Sequence, residues 1–288
     1  MTVWNLGSIN ADFIYQVPHL PGPGETLSST DRQVFLGGKG TNMSVAAARA
    51  GAHVSHIGAV GPDGRWAVDR LMEYGVDTRH IAQVETETCQ AMIFVDPDGE
   101  NMIVLHPGAN MKIPPEILEQ ALTRAETGNW LVMQNETILQ PEAAALASKM
   151  GLKVAYAAAP FDAEKVQAVL DHLDLLFLNA VEAQQLEEAT GTSPAKLPVE
   201  NVIVTQGGDG ATWFGPDGPV HVAALQVEPV DTTGAGDTFT GYVLAGLDRG
   251  MPMAQAMGLA STAAALMVMR HGTADVIPDL AEVQAFRA

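Results

Sequence analysis

Short apolar runs alternate with segments of helical period along most of the chain. Residues 53–60, 130–134, 153–157, 173–178 and 202–205 read as strands, and helical patterns cover 65–74, 141–150, 164–172 and 181–190 between them. Runs such as LLFLN at 175–179 and VIVT at 202–205 are nearly continuous in apolar residues, as strands covered on both faces require. The alternation predicts an α/β fold of three layers, a mostly parallel central sheet between two sets of helices.

Two regions depart from this rhythm. Residues 91–95 and 102–105 flank the turn sequence DPDG at 96–99 and read as a hairpin with no crossover helix. With the extended-looking region 12–35 they can form a small separate sheet, which we place as a lid, spanning about 12–36 and 88–106, over a single domain covering 1–288. A second hairpin is expected from 211–214 and 220–222 around Pro216-Asp217-Gly218. Residues 250–269 carry no charge and are long enough to span a bilayer, but Pro252, Gln255, Ser261, Thr262 and many alanines mark a buried helix instead.

Charge narrows the ligands. With 34 Asp and Glu against 15 Lys and Arg, the formal charge of −19 repels nucleic-acid phosphates, so nucleic acid is not an expected partner, and neither is a membrane. An anionic ligand would need local amide or cationic donors, or a divalent ion, to enter such a field. Cys89 is the single cysteine and reads as an inert buried thiol, which fits a reducing compartment. The first residues show no basic leader ahead of an apolar run, so cytoplasm is the expected location. His53 and His56, three apart on one strand, face opposite sides, and the other histidines are scattered, which argues against zinc.

Five polar motifs lie near strand ends or helix starts. In DTTGAGD at 231–237, small residues open an amphipathic helix where unpaired amides attract an anion. Asp237 beside them either accepts a proton from an attacking hydroxyl or merely caps the helix above a tight turn. GGKGTN at 37–42 lacks the Ser or Thr that a Walker A loop has after its Lys; Lys39 and Asn42 on one helical face can bind a polyol, unless the segment is a plain turn. GSINAD at 7–12 ends the first strand in this reading. Asn10 and Asp12 there point to one side and suit vicinal hydroxyls, or serve their own loop. Asn179 and Glu182 open a helix after LLFL, either as a capping pair or, through Glu182, as a holder of hydrated Mg²⁺. TQGGDG at 205–210 makes a further tight turn after a strand. No Gly-x-Ser-x-Gly elbow and no GxGxxG after the first strand appears, which argues against a hydrolase elbow and a dinucleotide fold.

Taken in this order, GSINAD, GGKGTN, NAVE, TQGGDG and DTTGAGD resemble the ribokinase family of phosphofructokinase-B type carbohydrate kinases. PGPGET at 21–26, FVDPDGEN at 94–101 and HPGAN at 106–110 add to the likeness, which runs from about residue 5 to 278. The resemblance implies an ATP-dependent sugar kinase with the family's fold and lid. It makes Asp237 the catalytic base and Gly234, Ala235 and Gly236 the anion hole. Sugar contacts fall on Asn10, Asp12, Gly38, Lys39, Asn42 and Glu136, with Ala91, Ile93 and Leu105 as apolar lid contacts. Asn179 and Glu182 match the motif serving the phosphates and hydrated Mg²⁺, and Thr205, Gly207 and Gly210 match part of the nucleotide pocket. Asp231 and Thr233 match a monovalent-cation loop, making K⁺ activation an expectation, and a homodimer through the lid is implied too. Two departures stand out: Ala157-Ala-Ala-Pro160 where the family commonly has Asn-Pro-Ala-Pro, and Val276 where a Ser is usual. Neither touches the phosphoryl-transfer set; they bear on the sugar and the cation, and D-ribose is the expected sugar.

Overall fold

A computed structural model describes residues 2–286. From the N-terminus run β1 (Thr2–Leu6), β2 (Asn10–Gln16), β3 (Asp31–Gly37) and α1 (Lys39–Arg49). Next come β4 (His53–Val60), α2 (Arg65–Glu73), β5 (Asp77–Gln83), β6 (Cys89–Val95), β7 (Asn101–His106) and α3 (Pro115–Leu122). Three strand–helix units follow: β8 (Trp130–Gln134) with α4 (Gln140–Lys149), β9 (Lys153–Ala157) with α5 (Ala163–Val169), and β10 (Leu175–Asn179) with α6 (Ala180–Thr190). Then β11 (Asn201–Thr205), β12 (Ala211–Gly215) and β13 (Gly218–Val222) precede α7 (Ala235–Asp248), α8 (Met253–Val268) and α9 (Leu280–Ala285).

Nine strands form the larger sheet in the order β13-β12-β11-β10-β9-β8-β1-β4-β5, parallel from β11 to β5, with β12 and β13 added antiparallel as the expected second hairpin. Successive side chains of a strand point to opposite faces, and the core divides accordingly. Val3, Val132, Ala155, Phe177 and Ile203 pack in one cluster with α1, α7 and α8 residues. Their neighbours Trp4, Leu131, Tyr156, Leu178 and Val204 pack in the other with α3 to α6. This is the three-layer arrangement the apolar periodicity predicts, and residues 253–268 form a helix facing that core.

β1 is the strand where the order reverses: β4 and β5 extend the sheet to one side, β8 to β11 to the other. Open α/β sheets bind ligands outside the carboxyl ends of their strands at such a point, because the connections leave in opposite directions and open a crevice. Gly7, Asn135, Ala158, Asn179 and Thr205 all stand at carboxyl ends of this parallel set. A second sheet in the order β3-β2-β6-β7 departs from the crevice rim, with β2 parallel to β6 and both hairpin pairings antiparallel. Here the reading of GSINAD needs correction: β1 stops at Leu6, and Asn10 and Asp12 begin β2 in the small sheet. The chain turns because Gly7 packs against the Cα of Gly40 at the start of α1, a contact that no local pattern announces.

Candidate active site

A cleft of about 210 Å³ lies at the carboxyl ends of β9, β10 and β11. Lys39, Asn179, Glu182, Thr205, Gly234, Gly236 and Asp237 line it. Met43, Phe177, Leu178, Thr240 and the alanines 157 to 159 complete its walls; the alanines entered the sequence reading only as a departure from the family pattern, and the others were not named as contacts. Phe177 belongs to an apolar strand and Met43 to a helix face, positions whose pattern reads as core.

Gly234 is the N-cap of α7, and its φ of 77° places it in the left-handed region that glycine enters without a Cβ penalty. Thr238 N–H closes the first intrahelical bond to Gly234 O at 2.9 Å, so the amides of residues 235 to 237 precede the hydrogen-bonded ladder. The Ala235 amide donates weakly to Thr232 O at 3.3 Å, whereas Gly236 and Asp237 direct theirs from a helix start lining the cleft. Asp237 does not cap the helix; its Oδ2 accepts from Asn42 Nδ2 at 2.9 Å. That bond joins residues 195 apart and depends on close helix packing, since a Cβ on Gly241 of α7 would come within 2.5 Å of Ala46 of α1.

Burial raises the Asp237 carboxyl above the usual carboxylate range, opposed first by the Lys39 ammonium and then by the Asn42 amide. The result is a carboxylate of increased proton affinity held in place by a neutral donor, which suits a general base. Lys39 in turn is raised, chiefly by Asp237, with Glu136, Glu182 and Asp12 contributing against its burial. Its Nζ lies 3.9 Å from Glu136 Oε1.

Glu136 ties the neighbouring loops together. Its Oε2 accepts from the Lys39 amide at 3.1 Å and from the Ser8 hydroxyl. Asn10 Oδ1 accepts from Asn110 Nδ2 at 2.9 Å, and Asn110 Oδ1 accepts from the Ile9 amide at 3.0 Å. Ser8 and Asn110 were not assigned from sequence, although both lie inside quoted motifs. Asp12 is paired in register with Ala91 of β6, and Ala91 with Leu105 of β7, so the three form one row across the small sheet; Ile93 lies in the next row on the same face. Burial and the nearby Glu136 charge push the Asp12 carboxyl up to about 7. Asp12 Oδ1 and Asn42 Oδ1 are buried without a hydrogen-bond partner, two acceptors that hydroxyl donors of a ligand would satisfy. Gly38 is the N-cap of α1, with φ 97°.

Asn179 and Glu182 form the capping pair and also line the cleft. Glu182 N–H donates to Asn179 Oδ1 and Asn179 N–H to Glu182 Oε2, each at 2.8 Å, while both residues line the cleft. Burial raises the Glu182 carboxyl. Among the described residues no cluster of three or more His, Cys, Asp and Glu could cage a metal. Glu182 is the carboxylate at the β10 end of the cleft, and a lone carboxylate there is compatible with a divalent ion held through water rather than by direct ligands. Gly207 and Gly210 lie outside the cleft lining: Gly210 O accepts from Gln206 N at 2.7 Å, and a Cβ there would strike the backbone of β13 and the residues after it. Asp231 joins two loops, Oδ1 accepting from Thr233 N at 2.9 Å and Oδ2 from Gly272 N at 3.3 Å. Val276, beside Gly272, offers no side-chain oxygen here. Cys89, buried near Asp12 and Glu136, is pushed up to about 12 and is inert as a thiol.

Comparison with known proteins gives a consistent result. Residues 2–280 match the family model described as pfkB family carbohydrate kinase. Ribokinase of Haemophilus influenzae is 35% identical over 300 aligned residues, covering 99% of this chain and 98% of its own. The structure of ribokinase from Cryptococcus neoformans in complex with ADP superposes with a TM-score of 0.87 at 30% identity, with 98% of each chain covered. That of Arabidopsis thaliana ribokinase complexed with ribose and ATP gives 0.86 at 26% identity, with 99% of each covered.

Proposed function

Since the chain belongs to the pfkB family of carbohydrate kinases and is a sugar kinase on that ground, we propose that it transfers the γ-phosphoryl group of ATP to O5 of D-ribose. The observation that carries the proposal is the buried Asp237 carboxylate, held by Asn42 from the side of Lys39 and flanked by the amides of α7. Asn10, Asp12, Gly38, Lys39, Asn42 and Glu136 orient the sugar, and the orphan acceptors on Asp12 and Asn42 receive its hydroxyl protons. Asp237 takes the proton of the terminal hydroxyl as it attacks in line, and the amides at Gly234, Ala235 and Gly236 hold the charge on the transferring group.

Asn179 and Glu182 face the nucleotide phosphates, Thr205 borders the nucleotide, and Gly207 and Gly210 shape the turn beyond it. A hydrated Mg²⁺, when bound, would neutralise phosphate charge, and Glu182 would hold it through water. Asp231 and Thr233 would serve K⁺, which a comparison of rates in K⁺ and in a large organic cation tests; equal rates reject it. The small sheet acts as a lid. Ala91, Ile93 and Leu105 close over the sugar and exclude water, and the opposite face, with Phe13, Tyr15, Phe94 and Val104, pairs with a second copy. The location we propose is the cytoplasm; among the described residues no helix is long and apolar enough to cross a membrane.

A panel of D-ribose, 2-deoxy-D-ribose, fructose, a 2-keto-3-deoxy sugar acid and a nucleoside, read by coupled ADP detection, tests the assignment. D-ribose should give the highest kcat/KM. A higher value for any other member overturns the choice of sugar, and no ADP release with any of them overturns the site reading.

A further inference from the structure

Behind the two sugar-facing loops lies a buried polar chain that the steps above do not use. Its members Gln134, Asn5, Ser44 and His56 are each at most 1% exposed. Gln134 Nε2 donates to Asn5 Oδ1 at 2.7 Å, and Asn5 Nδ2 donates to Ser44 Oγ at 2.8 Å and to Gly40 O at 2.7 Å. Ser44 Oγ lies 2.8 Å from His56 Nδ1, and His56 Nε2 lies 3.1 Å from Gly7 O.

Chemistry fixes the direction of this chain. A carbonyl oxygen only accepts, so His56 Nε2 carries the proton and Nδ1 of the neutral ring is an acceptor. The Ser44 hydroxyl must then donate to His56 and use a lone pair for Asn5. Burial pushes His56 down to about 4, which keeps the ring neutral near pH 7.

Each end of the chain stands beside a group assigned to the sugar. Gly7 opens the turn that leads into β2, whose first residues include Asn10 and Asp12. Gly40 lies between Lys39 and Asn42, and Gln134 is two residues before Glu136. The Ser8 hydroxyl closes the circuit by donating to Glu136 and accepting from the Gly40 amide. The phosphate-facing residues Asn179, Glu182 and Thr205 have no bond in it.

We propose that His56 is a positioning residue for the sugar: through Gly7 on one side and Ser44 on the other it sets the distance between the 7–12 turn and the first turns of α1, and thus the separation of Asp12 from Asn42. The proposal rests on the assignment of these two loops to the sugar. A histidine that only filled the core would affect stability and leave the ratio of sugar to ATP affinity unchanged. A positioning one acts on the sugar alone, because loops shifted by a fraction of an ångström leave hydroxyl contacts long without disturbing the nucleotide side.

The test measures steady-state constants for D-ribose and ATP in four variants, each checked for a cooperative thermal melt. His56→Leu should raise the ribose KM about tenfold or more, with ATP KM within about threefold of wild type. His56→Gln, whose Nε2 can still donate to Gly7 O, should restore most of that loss. Ser44→Ala should shift the ribose KM in the same direction, and it decides the matter alone if His56→Leu does not fold. The proposal is overturned if ribose KM is unchanged in the folded variants, if ribose and ATP KM rise together, or if His56→Gln is no better than His56→Leu. Asp12→Asn separates the two levels of the argument. If it raises ribose KM while His56→Leu and Ser44→Ala do not, only the role of His56 fails; if it leaves ribose KM unchanged, the loop assignment fails and the proposal with it.

Discussion

Substituting Gly37 by alanine displaces one carboxylate without deleting any polar group. A Cβ at this position would fall 2.5 Å from Asp12 Oδ1 and closer still to Cγ and Oδ2. Ordinary carbon–oxygen contact requires the carboxylate to retreat by roughly 1 Å or more. Gly37 pairs with Asn10 in the regular register of β2 and β3, and its φ lies outside the left-handed region, so alanine is allowed by the backbone. The collision is thus the whole effect. A hydrogen bond to a charged group contributes about 1.5–3 kcal/mol, and every 1.4 kcal/mol is about a factor of ten, so losing one such bond raises the ribose KM roughly 10- to 100-fold. Ribose and ATP are each varied at saturation of the other, and ribose binding is measured separately by calorimetry. ATP KM and the thermal midpoint should stay close to wild type. A folded Gly37→Ala protein with ribose KM within about threefold of wild type would refute the role given to Asp12.

Asp237→Asn should lower kcat by about 10²- to 10⁴-fold while ribose affinity, measured by calorimetry, changes little; a variant with normal turnover removes the base. Glu182→Gln keeps an oxygen for the Asn179 amide and so should melt close to wild type, yet need about tenfold more Mg²⁺ for half-maximal rate at fixed ATP, as a Mg²⁺ titration reads. Asp12→Asn should change the pH dependence of stability. Burial raises this carboxyl from 3.8 to about 7, so between those values the unfolded chain has released a proton that the folded one keeps, and stability falls as pH rises through that window. In ribose-free melts the variant should exceed wild type at pH about 8 and lose this advantage towards pH about 4; a constant difference would show that Asp12 is not strained by burial.

The sequence periodicities carried most of the fold because strands covered on both faces and the helices that cover them leave regular apolar patterns. Site residues were legible where their geometry is local. Asn179 and Glu182 are three apart, and a capping box follows from that spacing alone. That Asp237 does not cap α7 was not legible from spacing, since its side chain is bonded to Asn42 on another helix. Glu136 entered only through the family resemblance, for its partners Ser8 and Lys39 are about a hundred residues away and nothing local marks it. Asn10 and Asp12 were assigned to the wrong strand because the break after Leu6 comes from the contact of Gly7 with Gly40. His56 shows the limit of the same reasoning: odd spacing from His53 puts it on the opposite face, but only the folded packing reveals what it binds there.

The balance of charge around Lys39 bears on how a polyphosphate can bind in so acidic a protein. Asp237, Glu136, Glu182 and Asp12 all act on this one ammonium, and burial raises three of these carboxyls: Asp237, Glu182 and Asp12. An incoming nucleotide adds further negative charge to a place where water screens little. Proton uptake by the carboxylates would relieve the repulsion, but protonating Asp237 removes the base that the reaction needs. Amides at the α7 start supply partial positive charge without consuming a proton, and the hydrated Mg²⁺ proposed above would supply the rest. On the proposed reading Glu182 would accept hydrogen bonds from the waters of that ion, which would be needed only while the nucleotide is bound.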